Sequence, residues 1–105
     1  MICRIWHGWT TEANADAYER LLRDEIFAGI LRREMPGFRA IDLLRRSVPG
    51  GAEFATLMWF DSIEAVHRFA GPDYEVAVVP PEARQFLVRF DARSAHYTVM
   101  ERQSA

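Results

Sequence analysis

The first ten residues alternate without either set turning polar. Strand neighbours point to opposite faces. The opening MICRIWHGWTT therefore puts Cys3, Ile5, His7 and Trp9 on one side and Ile2, Arg4, Trp6 and Gly8 on the other. Both sides carry large apolar groups, which predicts a strand over Ile2 to Thr10 that is covered on both faces. The period then changes. From Thr10 to Glu34, Ala17 and Leu21, and then Tyr18 and Leu22, recur at the four-residue spacing of one buried helix face. Thr11 or Asn14 is placed to cap this helix, and Glu12 and Asp16 favour its positive end. Gly29 is a candidate break, and Met35-Pro36-Gly37 a stop, because proline cannot extend the hydrogen-bond ladder.

Two strand-like runs follow, FRAIDLLRRSV and AEFATLMWF, joined by Pro49-Gly50-Gly51 as a β-hairpin. In the second run Phe54, Thr56, Met58 and Phe60 share one face and Ala55, Leu57 and Trp59 the other, again with no polar side. Asp61 offers an N-cap for a helix over SIEAVHRFAG, with Ile63, Val66, Phe69 and Ala70 apolar and Gly71-Pro72 as its stop. DYEVAVVPPEARQFL reads as a short helix, a Pro-Pro turn and another short helix. SAHYTVME alternates as a last strand, Ala95, Tyr97 and Val99 against His96, Thr98 and Met100.

The order is β-α-β-β-α-β, which predicts an α+β, ferredoxin-like domain: a four-stranded antiparallel sheet with both helices on one face. Such helices cover one side only, and a side left to water should alternate to polar residues. This sheet does not, and a contiguous apolar patch of that size marks an interface. The expected solution is a homodimer whose sheets pack face to face at roughly 10 Å.

Composition narrows the chemistry. The 105 residues, half of them hydrophobic, suit one domain with one core. All thirteen basic residues are arginine, which removes Schiff-base and phosphate-loop lysines. A net charge of −2 without a basic, aromatic-laced stripe argues against nucleic acid. No apolar run is long enough to span a bilayer. The start lacks the parts of a secretory signal, and Cys3 is the only cysteine, so a cytoplasmic protein is expected. No glycine-rich nucleotide loop occurs, so no flavin or other cofactor is expected.

Three segments carry a family resemblance over nearly the whole chain. MICRIWHGWTTEANADAYERLL runs a first strand through a polar turn into a helix. TLMWFDSIEAVHRFAGPDY joins an aromatic strand end to Asp-Ser and then to Ala and His on a helix. AHYTVME closes the sheet. Together they resemble the antibiotic biosynthesis monooxygenase-like family of the dimeric α+β barrel superfamily. The resemblance implies a ligand cavity between sheet and helices, with His7, Ile5 and Trp9 facing it. It also implies cofactor-free oxygenase chemistry on a small aromatic molecule. Haem-degrading members use an asparagine, a tryptophan and an axial histidine, where this chain has His7, Phe69 and Val78 or Val79. A valine cannot ligate iron, so haem degradation of that kind is not expected.

The candidate catalytic residues are His7 and His67. Imidazole accepts a proton near neutral pH, where arginine cannot. For His7 a packing role stands beside that of general base, and for His67 a surface role bonding across the dimer. His96 reads as structural. The three histidines match no metal-ligand spacing. Trp9, Trp59, Phe69 and Tyr74 offer flat apolar surface for an aromatic substrate, with Arg84 to orient an oxygen. A non-catalytic dimeric ligand-binding or stress-associated domain is the alternative reading. In that case Phe27, Phe69 or Trp9 would plug the cavity.

Overall fold

A computed structural model describes all 105 residues. Strand β1 (Ile2–Thr11) leads into helix α1 (Glu12–Leu21), a π-helical turn (Leu22–Ile26) and α2 (Phe27–Arg32). Thr11, not Asn14, is the N-cap, its hydroxyl accepting from the Asn14 N–H at 3.3 Å. The helix does not break at Gly29. It widens earlier, through the π turn, and keeps Leu22, Ile26, Phe27 and Ile30 on the sheet side. Strands β2 (Phe38–Val48) and β3 (Gly51–Phe60) form the expected hairpin around a two-residue turn, Pro49-Gly50. Gly50 takes φ +84°, which a proline followed by glycine supplies without strain.

Helix α3 (Ile63–Ala70) is capped by Ser62, whose Oγ accepts from the Ala65 N–H at 3.3 Å. The expected cap, Asp61, instead holds Arg39 through both carboxylate oxygens. After α3 the chain runs irregularly to α4 (Pro81–Arg84), so of the two short helices expected there only the second forms. A strand absent from the sequence reading follows, β4 (Leu87–Phe90), and then β5 (Ala95–Thr98). Both pair antiparallel with β1, β4 along Gly8 to Thr10 and β5 along Ile2 to Ile5. The last strand of the ferredoxin-like pattern is thus present in two pieces. Asp91 joins them, its backbone N–H donating to His7 O at 2.9 Å.

The sheet order is β2-β3-β1-β4, with β5 continuing the β4 edge. Helices lie on one face, packed on Ala52, Phe54, Met58 and Phe60 of β3. Phe54, Phe60 and Val66 are fully buried, and Tyr18 meets Phe54 edge to face at 4.8 Å between ring centres. Burying each such side chain contributes roughly 1.5–3 kcal/mol.

Register fixes what the alternation left open. Trp6 pairs with Thr56 and Gly8 with Phe54, so Ile2, Arg4, Trp6, Gly8 and Thr10 face the helices. Gly8 is required there: a Cβ would stand 2.7 Å from the Trp6 ring. His7, Ile5 and Trp9 face away. Their expected place on the helix side is therefore corrected by the pairing of His7 with Ala55 and Trp9 with Glu53. The bare face combines Cys3, Ile5, His7 and Trp9 with Ala55, Leu57 and Trp59 of β3, Leu44 of β2 and Tyr97 of β5. Leu44 is 47% and Tyr97 59% exposed. No helix is long and apolar enough to cross a membrane.

Candidate active site

Between the helices and the covered face of the sheet lies a cavity of about 60 Å³. The π turn and α2 supply Leu22, Ile26, Phe27 and Ile30. The sheet supplies Arg4, Trp6, Ile41, Thr56 and Met58. Phe69 and the segment Val78-Val79-Pro80 close the far side. A π turn in an otherwise regular helix commonly marks a functional wall. The cavity has room for one or two waters, whereas a dry apolar cavity accepts benzene at about 150 Å³. An aromatic ring enters only if the half-buried Phe27, Ile30 or Phe69 moves aside.

Arg4 is the single charged side chain in the wall. It is 3% exposed and has no carboxylate partner. Its Nη1 donates to Tyr74 O and to His96 Nε2, the latter at 3.0 Å, and its Nη2 donates to Val76 O at 3.2 Å. The guanidinium also lies over the Phe69 ring, 5.4 Å from its centre. Burial pushes its pKa down to about 10, which leaves a cation at neutral pH. Neutral carbonyls and a ring orient that charge without cancelling it.

His96 is held in one tautomer. Arginine only donates, so Nε2 accepts and the ring proton sits on Nδ1. That Nδ1 is buried with no partner, as is the Ser94 hydroxyl, which lines the cavity. Burial first, and the Arg4 charge second, hold the His96 pKa below its usual value. Tyr74 packs its ring against His96 at 5.0 Å and against His67 at 4.8 Å. The Tyr18 hydroxyl, also in the wall, is raised in pKa by burial and stays protonated.

The sequence-expected residues divide. Phe69 lines the cavity, and Tyr74 borders it through its carbonyl. His67 and Arg84 are exposed on their helices and do not line it, and Arg84 lies over Phe90 instead. Trp59 faces the bare side, donating to Asp42 Oδ2 at 2.9 Å. Trp9 lies there too, beneath the Arg89 guanidinium at 3.7 Å, with its indole N–H on Glu53. His7 Nδ1 lies 2.8 Å from Asp91 Oδ2, which also accepts the His7 backbone N–H. Cys3 is buried on that face, its thiol pKa raised by burial and by Asp42, as suits packing rather than attack. No three His, Cys, Asp or Glu side chains stand close enough together to hold a metal.

Arg4 and His96 are the site residues that sequence reasoning missed. The available signal was a lone charge inside the apolar row Ile2, Arg4, Trp6. It had no meaning until that row was known to be the buried one.

No protein-family model matches the sequence, and no functionally curated protein matches it. Solved structures do match. A candidate antibiotic biosynthesis monooxygenase from Bacillus cereus superimposes with a TM-score of 0.67 at 18% identity, over 100% of this chain and 96% of that one. Its fold is that of the antibiotic biosynthesis monooxygenase-like proteins. SnoaB, a cofactor-independent oxygenase from Streptomyces nogalater, matches with a TM-score of 0.55 at 19% identity, over 98% of this chain and 95% of that one. A dimeric ferredoxin-like protein from an uncultured marine organism matches at 0.58 and 12% identity, over 99% of this chain and 98% of that one.

Proposed function

We propose that this chain is a cofactor-independent monooxygenase that oxidises a small aromatic molecule with O₂ in the cavity beneath its helices. The supporting observation is the wall itself: an apolar enclosure with one uncompensated cation, Arg4, in a fold that SnoaB shares. Cofactor-free oxidation needs the substrate to become an electron-rich anion. A buried guanidinium stabilises that anion where water cannot. His96 Nε2 already accepts from Arg4, so it positions the guanidinium and takes no proton from the substrate. The substrate's acidic C–H or O–H loses its proton to solvent water, the Arg4 charge favouring the anion, and the anion passes one electron to O₂. The carbon radical and superoxide then join as a peroxide, which takes up a proton. Loss of the remaining C–H proton breaks the O–O bond, leaving a carbonyl and water. His7, on the opposite face, has no part in this scheme.

The bare face completes the assembly. We propose a homodimer through sheet-to-sheet packing, supported by the apolar row from Ile5 to Tyr97 and by the dimeric fold relative. A second reading rests on the cavity's size. Phe27 and Phe69 leave only about 60 Å³, as suits a non-catalytic ligand-binding dimer. Oxygen uptake with anthrone- and hydroquinone-type compounds separates the two. The oxygenase reading expects uptake by the native protein, a loss of at least about a hundredfold in Arg4→Gln, and little change in His7→Ala. No uptake with any such compound favours the binding domain. Uptake that falls with His7→Ala but not with Arg4→Gln returns the chemistry to the other face.

A further inference from the structure

Arg4 carries five N–H donors. Tyr74 O, His96 Nε2 and Val76 O take three of them, leaving Nε–H and one Nη2–H without a protein acceptor. The Ser94 hydroxyl is buried in the same wall with nothing bound, and two residues on, the Nδ1 of His96 is equally unpartnered. Natural interiors rarely leave such groups empty. A guanidinium taken from water without a counter-charge is costly unless an anion arrives to share its site.

We propose that the cavity takes a small monocyclic aromatic carboxylic acid, bound as its carboxylate to Arg4 and Ser94. The two open N–H groups of Arg4 match the two oxygens of a carboxylate, and guanidinium–carboxylate pairs of this kind are strong and directional. The Ser94 hydroxyl donates to one of the same oxygens. The ring then lies against Trp6 in the space that Phe27 or Phe69 vacates by turning aside, since the cavity of about 60 Å³ does not hold a ring as it stands. The wall has no acidic side chain to repel the carboxylate and no second cation to share it. This deepens the oxygenase reading, since it names the class of that site's substrate, yet it concerns binding and is measured apart from turnover.

Calorimetric titration with 2,5-dihydroxybenzoate, its methyl ester and hydroquinone tests it, with oxygen uptake recorded separately for each. The acid should bind at least about tenfold tighter than the ester, because a site built around a polar group rejects the analogue that lacks it. Arg4→Met should erase that preference, and Ser94→Ala should weaken the acid several-fold without shifting the melting temperature, since its hydroxyl has no protein partner to lose. Equal binding of acid and ester, no binding of either, or a preference that survives Arg4→Met overturns the proposal. Should Arg4→Met not fold, unweakened binding in Ser94→Ala overturns it. Tight acid binding with no oxygen uptake keeps the acid site and removes the oxygenase. Oxygen uptake from hydroquinone without any acid preference does the reverse.

Discussion

The two faces of the β1–β3 sheet handle charge in opposite ways. On the bare face the three carboxylates are each matched within the plane of the sheet, while Arg89 lies over the Trp9 ring without a carboxylate. Glu53 takes Arg46 and the Trp9 indole, Asp42 takes the Trp59 indole, and Asp91 takes His7. What remains between them is apolar. Apart from Arg89, which rests on the Trp9 ring, such a surface can be buried against a twin without stranding a charge, which is the condition for a stable interface. On the covered face Arg45 is paired with Asp16 and Glu19, and Arg4, in the cavity wall, is neither neutralised nor solvated. The first arrangement suits permanent burial and the second suits a ligand. A charge count alone would not separate them; the placement of partners does.

That contrast can be broken at three strengths. The strongest blow falls on the covered face. Phe54→Ala removes a fully buried ring beneath Tyr18 and should cost about 3–5 kcal/mol in urea unfolding. A loss below about 1 kcal/mol would mean the helices do not pack on this side as described. The bare face should answer differently. Leu57→Asp puts a charge at its centre, between Ile5 and Asp42. Light scattering should then report half the native mass while far-ultraviolet circular dichroism stays native. A native protein that is already monomeric would remove the interface, and with it the reason for this face's composition.

The smallest effect is the pH dependence carried by His96. Its pKa is depressed in the folded chain, first by burial and then by Arg4. The unfolded state therefore binds that proton more readily, and stability rises with pH across this window. The contribution is complete above the ordinary histidine value near 6.5. It fades as pH falls from there through the lower folded value. Melting temperatures measured from pH 7.5 to 5 should drop more steeply for the native chain than for His96→Asn. Parallel curves would mean that His96 is not held neutral against Arg4.

Much of the architecture could be read from period and punctuation. The change from a two-residue to a four-residue repeat marked β1 and α1. Pro49-Gly50 marked the hairpin, and Met35-Pro36-Gly37 the helix stop. The helix caps were harder, because Asp61 and Ser62 are both good cappers and only Asp61 has Arg39 within reach. Strand β4 escaped because Leu87–Phe90 is short, carries Arg89, and is shifted in register beside Thr10. Of the candidate site, Phe69 and Tyr74 were legible as aromatics near a helix end. Arg4 was not, since arginine on a strand ordinarily marks a solvated edge.

The sequence by itself determined that β1 would carry an apolar row on each face and which of its residues travel together, because alternation is a property of the backbone. It could not determine which set meets the helices. With two apolar rows, turning the strand over exchanges one good hydrophobic face for another, so composition is blind to the choice. The tertiary structure decided it. β1 and β2 both run antiparallel to β3, so the chain crosses over through α1 and α2 on a single side of the sheet. Where β1 hands over to α1, that side is the one carrying Arg4 and Trp6. The same packing left His7 on the far face and closed an arginine, without its counter-ion, inside.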